Sequence, residues 1–257
     1  MSRLQQLFAH KNKNILNVYC TAGYPQRDST LEVMQALQRS GVDIIELGMP
    51  YSDPLADGPV IQESSAQALL NGMTINILFE QLKNFRQHIH IPVVLMGYIN
   101  PLLQYGFNKF CAAAAQVGVD ALIIPDIPLY EFENQYRPIL KNQGLDFIFL
   151  VTPETSEHRI RLLDAASSGF LYAVSVSSVT GSAKHFGNIS GYLQRLAAMK
   201  LKNPVLVGFG VRDTTSFAAA SAHTAGAIVG SAYINMLKES KNIAADTAAF
   251  IQNIRPT

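Results

Sequence analysis

Short apolar runs alternate with amphipathic or alanine-rich stretches along the whole chain. Apolar runs of about four to eight residues bounded by glycine, proline or polar clusters are typical of buried β-strands, whereas an apolar residue at every third or fourth position indicates a helix. We predict strands at residues 15–20, 42–48, 93–98, 121–125, 146–151, 170–175, 204–208 and 227–230. We predict helices at residues 29–40, 75–87, 108–117, 156–167, 189–200 and 214–223.

This order of elements predicts the fold class. Strands that alternate with helices form parallel sheets, and eight such units favour a closed (β/α)8 barrel over an open doubly wound sheet. The Gly-x-Gly-x-x-Gly pattern of a dinucleotide-binding sheet does not follow the first predicted strand, which weakens the open alternative. We therefore expect an α/β protein in which residues 1–257 form a single TIM-barrel domain with an extra N-terminal helix.

Composition excludes several classes of protein. Apolar residues make up 48% of the chain and charged residues 15%, which is usual for a globular protein, and the net charge of +1 gives no electrostatic basis for binding nucleic acid or an anionic membrane. No apolar run reaches the ~20 residues of a membrane span, and the N-terminus lacks a signal-peptide core. Cys20 and Cys111 lie in apolar or alanine-rich segments, which indicates buried thiols in a reducing compartment and a cytoplasmic location.

The second predicted strand holds a carboxylate within an apolar run. Glu46 is flanked by isoleucine and leucine. Because burying an unpaired charge is costly, a carboxylate is rarely found in such a run without a structural or functional reason. A proline-rich loop follows at once and carries two more carboxylates, Asp53 and Asp57. One acid on a rigid strand and another on a loop that can close predict a catalytic pair. The alternative is a purely structural role, in which Glu46 caps the barrel rim with its hydrogen bonds satisfied and Asp57-Gly58 forms a surface turn.

Other polar residues fall where barrel enzymes place their active-site groups. These groups lie at the carboxyl ends of the strands and in the loops that follow them. The candidates at such positions are Glu46, Tyr98, Asn100, Asp126, Thr152, Glu154, Tyr172 and Ser175.

Three glycine-rich segments indicate a phosphate site. They follow the sixth, seventh and eighth predicted strands, at residues 179–182, 207–211 and 228–232. Phosphate sites of barrel enzymes are commonly formed by the loops after strands seven and eight and by a helix N-terminus, where backbone N–H groups can approach the anion. Ser231 would stand at the start of the last helix, where its hydroxyl can cap the helix or touch the phosphate. A phosphorylated small molecule is therefore the expected ligand.

These residues together resemble the tryptophan synthase alpha chain family. The stretch 46–62, Glu-Leu-Gly-Met-Pro-Tyr-Ser-Asp-Pro-Leu-Ala-Asp-Gly-Pro-Val-Ile-Gln, is similar to that family's signature nearly residue for residue, and the resemblance covers essentially the whole chain. Supporting matches lie at residues 21–25, 96–101, 125–128, 172, 179–181, 208–210 and 230–231.

The resemblance implies a lyase that cleaves indole-3-glycerol phosphate, in a retro-aldol sense, to indole and glyceraldehyde 3-phosphate. It implies that Glu46 is the general acid and base, that Asp57 binds the indole N–H, and that Tyr172 helps to place Glu46 and the substrate. Phosphate binding is implied for Thr180, Gly181, Gly210, Gly230 and Ser231. The walls of the indole pocket are implied to be Tyr19, Ile61, Met96 and Phe209.

The family also implies a partner, a pyridoxal-phosphate-dependent β chain in an αββα complex to which indole passes. Pyridoxal phosphate belongs to that β chain, and no cofactor is expected in this chain, where no lysine ends a strand and no cluster of metal ligands occurs. The residues implied at the communicating loops and the partner face are Asp53, Asn100 and Asp126. Loop six, residues 176–188, is the second closing segment, and Val176 stands there where some members carry an arginine.

Four alternatives compete with this interpretation. A phosphosugar isomerase or a Schiff-base aldolase could use the same barrel, but the aldolase needs a strand-end lysine and neither explains the long match around Glu46 and Asp57. A phosphate-binding regulatory subunit would have lost catalysis, whereas Glu46, Asp57 and Tyr172 are all present. Some family members act alone and release free indole, and the communicating loop and Asp53 favour the partner-bound type.

Overall fold

A computed structural model describes residues 2–174, 184–208 and 210–256. Within these ranges it describes the side chains of all residues other than 184–189. All strand pairs in it are parallel. The strands are β1 Ile15–Thr21, β2 Ile44–Gly48, β3 Val93–Met96, β4 Ala121–Ile123, β5 in two segments, Asp146–Phe147 and Leu150–Val151, β6 Leu171–Val174, β7 Val205–Gly208 and β8 Gly226–Val229.

The two segments of β5 close the sheet into a barrel. The first segment pairs with β4 and the second pairs with β6, so the two outer positions of the sheet belong to one strand. The backbone between the segments bonds to both sides, because the N–H of Ile148 donates to Leu122 O and the N–H of Tyr172 donates to Phe149 O, each at 3.0 Å. The order around the barrel is therefore that of the sequence, which confirms the predicted (β/α)8 fold.

Helices surround this barrel, most of them between successive strands, while α1 precedes the first strand and two helices follow the last one. They are α1 Arg3–His10, α2 Thr30–Arg39, α3 Pro59–Leu70, α4 Ile75–Leu82, α5 Ile99–Tyr105, α6 Phe107–Val117, α7 in the consecutive segments Leu129–Glu131, Phe132–Tyr136 and Arg137–Gln143, α8 Glu157–Ala166, α9 Lys184–Ala198, α10 Thr214–Ser221, α11 Ser231–Glu239 and α12 Ile243–Ile254. Within the described part of the chain, no helix combines the length and apolarity that crossing a membrane requires.

Two apolar cores organise the molecule. The larger one fills the space between the strands and the surrounding helices. The smaller one lies inside the barrel and includes Leu4 of α1, which confirms the predicted extra N-terminal helix and shows that it packs against one end of the barrel. Gly226 lets two strands approach closely there, because a Cβ at this position would lie 2.0 Å from the backbone oxygen of Ile15. The opposite end of the barrel is left for polar side chains.

Several predicted boundaries differ from the structure. The predicted strand 146–151 is interrupted because its two halves hydrogen-bond to different neighbours. The predicted helix 75–87 ends at Leu82, and a separate 3-10 turn, Phe85–Gln87, follows it. Ser231 does begin a helix, but the prediction that this helix is the last one was wrong, because α12 follows it.

Candidate active site

Glu46 lies on β2 inside the barrel. Ile44 belongs to the inner core, and alternate residues of a strand share a face, so Glu46 points inward as well. The residue is 1% exposed, its Oε2 accepts a hydrogen bond from Nδ2 of Asn17 at 2.8 Å, and its Oε1 has no partner among the described residues. Burial raises the pKa of Glu46 to about 8, and the charge of Asp57 adds to the rise while the Asn17 bond opposes it. Such a group can both give and take a proton near neutral pH.

Asp57 lies on the loop between β2 and α3 and is held by Tyr98. The N–H of Ala56 donates to the Tyr98 hydroxyl oxygen at 3.0 Å, and that hydroxyl is hydrogen-bonded to the Asp57 carboxylate. Burial raises the pKa of Asp57 to about 6, and the Tyr98 bond opposes the rise. Asp57 is therefore an anion at neutral pH, and it lies close enough for its charge to raise the pKa of Glu46.

Two tyrosines flank the carboxylates, and each occupies the space above a glycine of the next strand. A Cβ at Gly48 would lie 2.0 Å from the hydroxyl oxygen of Tyr19, and a Cβ at Gly208 would lie 2.7 Å from that of Tyr172. Burial raises the pKa of both hydroxyls well above its ordinary value, and the charges of Glu46 and Asp57 raise it further. Both tyrosines are therefore neutral and can serve as hydrogen-bond donors beside the carboxylates.

The predicted pocket walls that the structure describes surround this end of the barrel. Tyr19 and Ile61 are buried, and Met96 is half-buried against the inner core. Gly230 borders the same two walls, because a Cβ on it would lie 3.8 Å from Tyr19 Cβ and 3.9 Å from Ile61 Cδ1. The predicted phosphate segment after β8 thus lies beside the predicted indole pocket.

The predicted phosphate residues are placed only in part. Gly230 is the residue before α11 and Ser231 is its exposed first residue, so the free N–H groups that begin a helix lie there. Gly210 follows β7 with a φ of +39°, and nothing within 4 Å would meet a Cβ on it. Thr180, Gly181 and Phe209 lie outside the described residues, as do Ser175 and the part of loop six at residues 176–183, Val176 included.

The predicted partner residues lie together at the rim of the same barrel end. Asp53, Asn100 and Asp126 are exposed and follow β2, β3 and β4. Asn100 Nδ2 donates to the Tyr51 hydroxyl at 3.3 Å, and the backbone N–H of Ile99 donates to Asp126 at 3.0 Å. These contacts join the three successive loops into one surface.

Two side chains of the site had no role in it predicted from the sequence. Asn17 stands in the apolar run of β1, and its polarity within that run was a signal that could have marked it. Tyr98 was noted as a strand-end residue, but its bond to the Asp57 loop depends on how that loop folds back and has no signal in the sequence.

Metal ligands are not grouped in the described residues, where no three His, Cys, Asp or Glu side chains could hold an ion together. Four described histidines, His10, His88, His90 and His158, are exposed, and His223 is half-buried. Cys20 and Cys111 are free and buried.

Known proteins share this architecture and this sequence. The tryptophan synthase alpha chain of Phocaeicola vulgatus is 48% identical over 240 residues, which cover 93% of each chain, and that of Flavobacterium psychrophilum is 50% identical over 93% of this chain and 95% of the relative. The solved alpha subunit from Legionella pneumophila str. Paris superposes with a TM-score of 0.90 at 31% identity, covering 99% of this chain and 97% of that one. A chain of tryptophan synthase from M. tuberculosis in its aminoacrylate-bound form gives a TM-score of 0.86 at 33% identity, covering 99% and 100%.

A closed (β/α)8 barrel that carries two interacting carboxyl groups at one end of its strands has the architecture of a barrel enzyme with an acid–base site. The family model described as tryptophan synthase alpha chain matches residues 4–255. The chain belongs to the tryptophan synthase alpha chain family. Members of this family cleave indole-3-glycerol phosphate and supply indole to the β subunit in tryptophan biosynthesis, which confirms the predicted function.

Proposed function

We propose that Glu46 carries out both proton transfers in the cleavage of indole-3-glycerol phosphate. The unpartnered Oε1 of Glu46, inside the barrel and next to Asp57, is the observation that supports this proposal. In its acid form Glu46 gives a proton to the indole carbon that bears the glycerol chain, which produces an indoleninium cation. The carboxylate then takes the proton of the adjacent hydroxyl, and the electrons of the breaking carbon–carbon bond return to the ring. Indole and glyceraldehyde 3-phosphate leave, and Glu46 is protonated again.

Asp57 supplies the charge that this sequence of steps needs. Its carboxylate accepts a hydrogen bond from the indole N–H, and its negative charge stabilises the indoleninium cation. The Tyr98 hydroxyl holds that carboxylate in place through a bond that also fastens Ala56 of the loop. Tyr172, whose ring lies over Gly208, orients Glu46 and the substrate from the opposite strand.

The pocket walls and the phosphate cradle complete the substrate site. Tyr19, Ile61, Met96 and Phe209 enclose the indole ring. The phosphate is bound by backbone N–H and hydroxyl groups of Thr180, Gly181, Gly210, Gly230 and Ser231, because the start of a helix attracts anions. The position of Gly230 beside Tyr19 and Ile61 supports one continuous site for the ring and the phosphate.

The rim of the barrel is the proposed docking face for the β chain. Asp53, Asn100 and Asp126 lie there, and large apolar side chains are exposed on the same segments at Leu55, Leu103 and Tyr130. Exposed large apolar side chains on segments that also carry these polar residues are consistent with a protein interaction site. We propose an αββα complex in which the β chain holds pyridoxal phosphate, this chain acts without a cofactor as one domain spanning residues 1–257, and the complex works in the cytoplasm.

Indole release from indole-3-glycerol phosphate tests this proposal, measured on the purified chain with and without a cognate β chain. Slow release that rises sharply when the β chain is added supports a channelling alpha chain. Fast release without the β chain contradicts the proposed dependence on a partner and indicates a free-standing lyase. The absence of turnover in both assays contradicts the catalytic roles of Glu46 and Asp57.

Gly210→Asp is expected to weaken binding of glycerol phosphate about tenfold or more, because the added carboxylate would face the phosphate at close range. The space around Gly210 is open, and Asp tolerates a positive φ better than most residues, so the fold should be retained. Calorimetric titration with glycerol phosphate measures the change. Gly210→Asn is the control of equal shape without the charge, and equal affinities of the two variants would contradict a phosphate site at Gly210.

A further inference from the structure

Asn17 is a polar residue in an apolar strand, and its contact explains its presence there. It lies on β1 between buried apolar neighbours and has no exposed surface. An amide buried without a partner is costly, whereas a hydrogen bond to a charged group offsets part of that cost. Nδ2 of Asn17 donates to Oε2 of Glu46 at 2.8 Å across the adjacent strands β1 and β2. The two side chains both point into the barrel, because each lies two residues beyond an inward-facing isoleucine, Ile15 or Ile44.

The hydrogen bonds of this pair are unequal. Oε2 of Glu46 accepts from Asn17, whereas Oε1 of Glu46 and Oδ1 of Asn17 are buried without a partner among the described residues. Leaving a buried acceptor unpaired is costly, so such an arrangement favours a ligand that supplies the missing partner. The two oxygens of one carboxyl group therefore have different surroundings.

We propose that Asn17 is a positioning residue that reserves Oε2 of Glu46 as a fixed acceptor and leaves Oε1 as the oxygen that exchanges protons with the substrate. This inference rests on the proposed role of Glu46. The amide can donate to Oε2 in both protonation states, because Oε2 is a carboxylate oxygen in one and the carbonyl oxygen of the acid in the other. Glu46 can then give and retake a proton at Oε1 without turning its side chain.

The other titratable groups around Glu46 do not supply the hydrogen bond that Asn17 donates. Tyr19 and Cys20 of β1 and Tyr172 of β6 are neutral, because burial raises the pKa of each well above its ordinary value. Asp57, on the loop after β2, is an anion and raises the pKa of Glu46, as does burial. Within the described part of the chain, the Asn17 amide supplies the hydrogen bond that opposes this rise. Loss of this hydrogen bond should therefore allow the Glu46 side chain to move and should raise its pKa.

Asn17→Leu removes the donor while keeping the branching of the side chain and its number of non-hydrogen atoms, and it tests the proposal by two measurements. Carboxyl ¹³C chemical shifts of labelled glutamate, followed against pH in the unliganded chain, should show Glu46 titrating above its parent value of about 8. Indole release should show kcat lowered about tenfold, with KM nearly unchanged and the alkaline limb of the kcat profile moved to higher pH. Asn17→Ser, which is too short to reach Oε2, gives the same readouts if the leucine variant does not fold.

A second buried Asn–carboxylate pair provides the matched control. Asn203 Nδ2 donates to Asp164 Oδ1 at 3.0 Å, away from the barrel interior. Asn203→Leu should lower the thermal stability and leave the titration of Glu46 and the kcat profile unchanged. The proposal is overturned if the titration and the kcat profile of the Asn17 variants equal those of the parent. If the titration shifts while Glu46→Gln retains turnover, the positioning contact stands and the catalytic role of Glu46 fails.

Discussion

Glu46→Gln is expected to lower kcat for indole release by about 10²- to 10⁴-fold, the range that loss of a general acid and base produces. The glutamine side chain has nearly the same shape, and its carbonyl oxygen can still accept the hydrogen bond from Asn17. It can neither protonate the indole carbon nor take the proton of the hydroxyl. The substitution should therefore remove the chemistry and leave the binding of glycerol phosphate unchanged.

The stability of the same variant provides an independent check with a defined sign. Burial raises the pKa of Glu46 from its ordinary value to about 8, so the folded protein binds this proton more tightly than the unfolded chain does. This contribution is fully present below the ordinary pKa and is lost as the pH rises through about 8. Since glutamine carries no such charge, Glu46→Gln should lose less thermal stability than the parent as the pH is raised from about 4.5 to about 8.

Indole release, glycerol phosphate calorimetry and thermal unfolding at several pH values measure these effects. Glu32→Gln is the matched control, because Glu32 is exposed in the first turn of α2, outside the barrel. Its kcat should equal that of the parent. Turnover of Glu46→Gln close to the parent value would show that another group transfers the protons.

The features of the fold and the site that could be predicted from the sequence are those that a local sequence pattern reveals. A glutamate inside an apolar run marks the end of β2, and residues 46–62 identify the family without any three-dimensional information. The barrel itself follows from eight alternations of strand and helix, because each unit needs only its own periodicity to be recognised. These features are local, and the structure places Glu46 where that pattern predicted it.

Features that depend on pairing between distant segments were not predictable in this way. The break in β5 arises because its two halves bond to different strands, which no pattern within residues 146–151 shows. Helix α3 was not predicted, because it has no clear apolar stripe. Pro59 at its first position is the local signal that marks its start. The partnership of Asn17 with Glu46 joins residues 29 positions apart and becomes visible only once the register of β1 and β2 is known.

The pH dependence of the reaction should report both carboxyl groups. Catalysis as proposed starts with Asp57 ionised and Glu46 protonated. The profile of kcat/KM should therefore rise through about pH 6, the pKa of Asp57, and fall through about pH 8, the pKa of Glu46. Because the two carboxyl groups interact, the two limbs of the profile report apparent pKa values of the pair. Substitution of one group should therefore move the limb that the other group produces.

Asp57→Asn is accordingly expected to lower kcat/KM by about 10²- to 10³-fold, as the loss of a charge-stabilising group does in other enzymes. The asparagine keeps the shape of the side chain and a hydrogen bond to Tyr98, but no negative charge remains to stabilise the indoleninium cation. The acid limb of the profile should disappear. The alkaline limb should move to lower pH, because the Asp57 charge is one of the causes that raise the pKa of Glu46.

Steady-state indole release across this pH range measures both effects, and ¹³C titration of Glu46 in the unliganded variant measures the second one without turnover. Asp28→Asn is the control, because Asp28 is an exposed carboxylate that pairs with its neighbour Arg27 at 3.4 Å outside the barrel. Its profile should match that of the parent. An Asp57→Asn variant that kept an acid limb near pH 6 would assign that limb to another group. A Glu46 titration unmoved by the substitution would mean that the loop carrying Asp57 lies too far from Glu46 for the two carboxyl groups to act on one substrate.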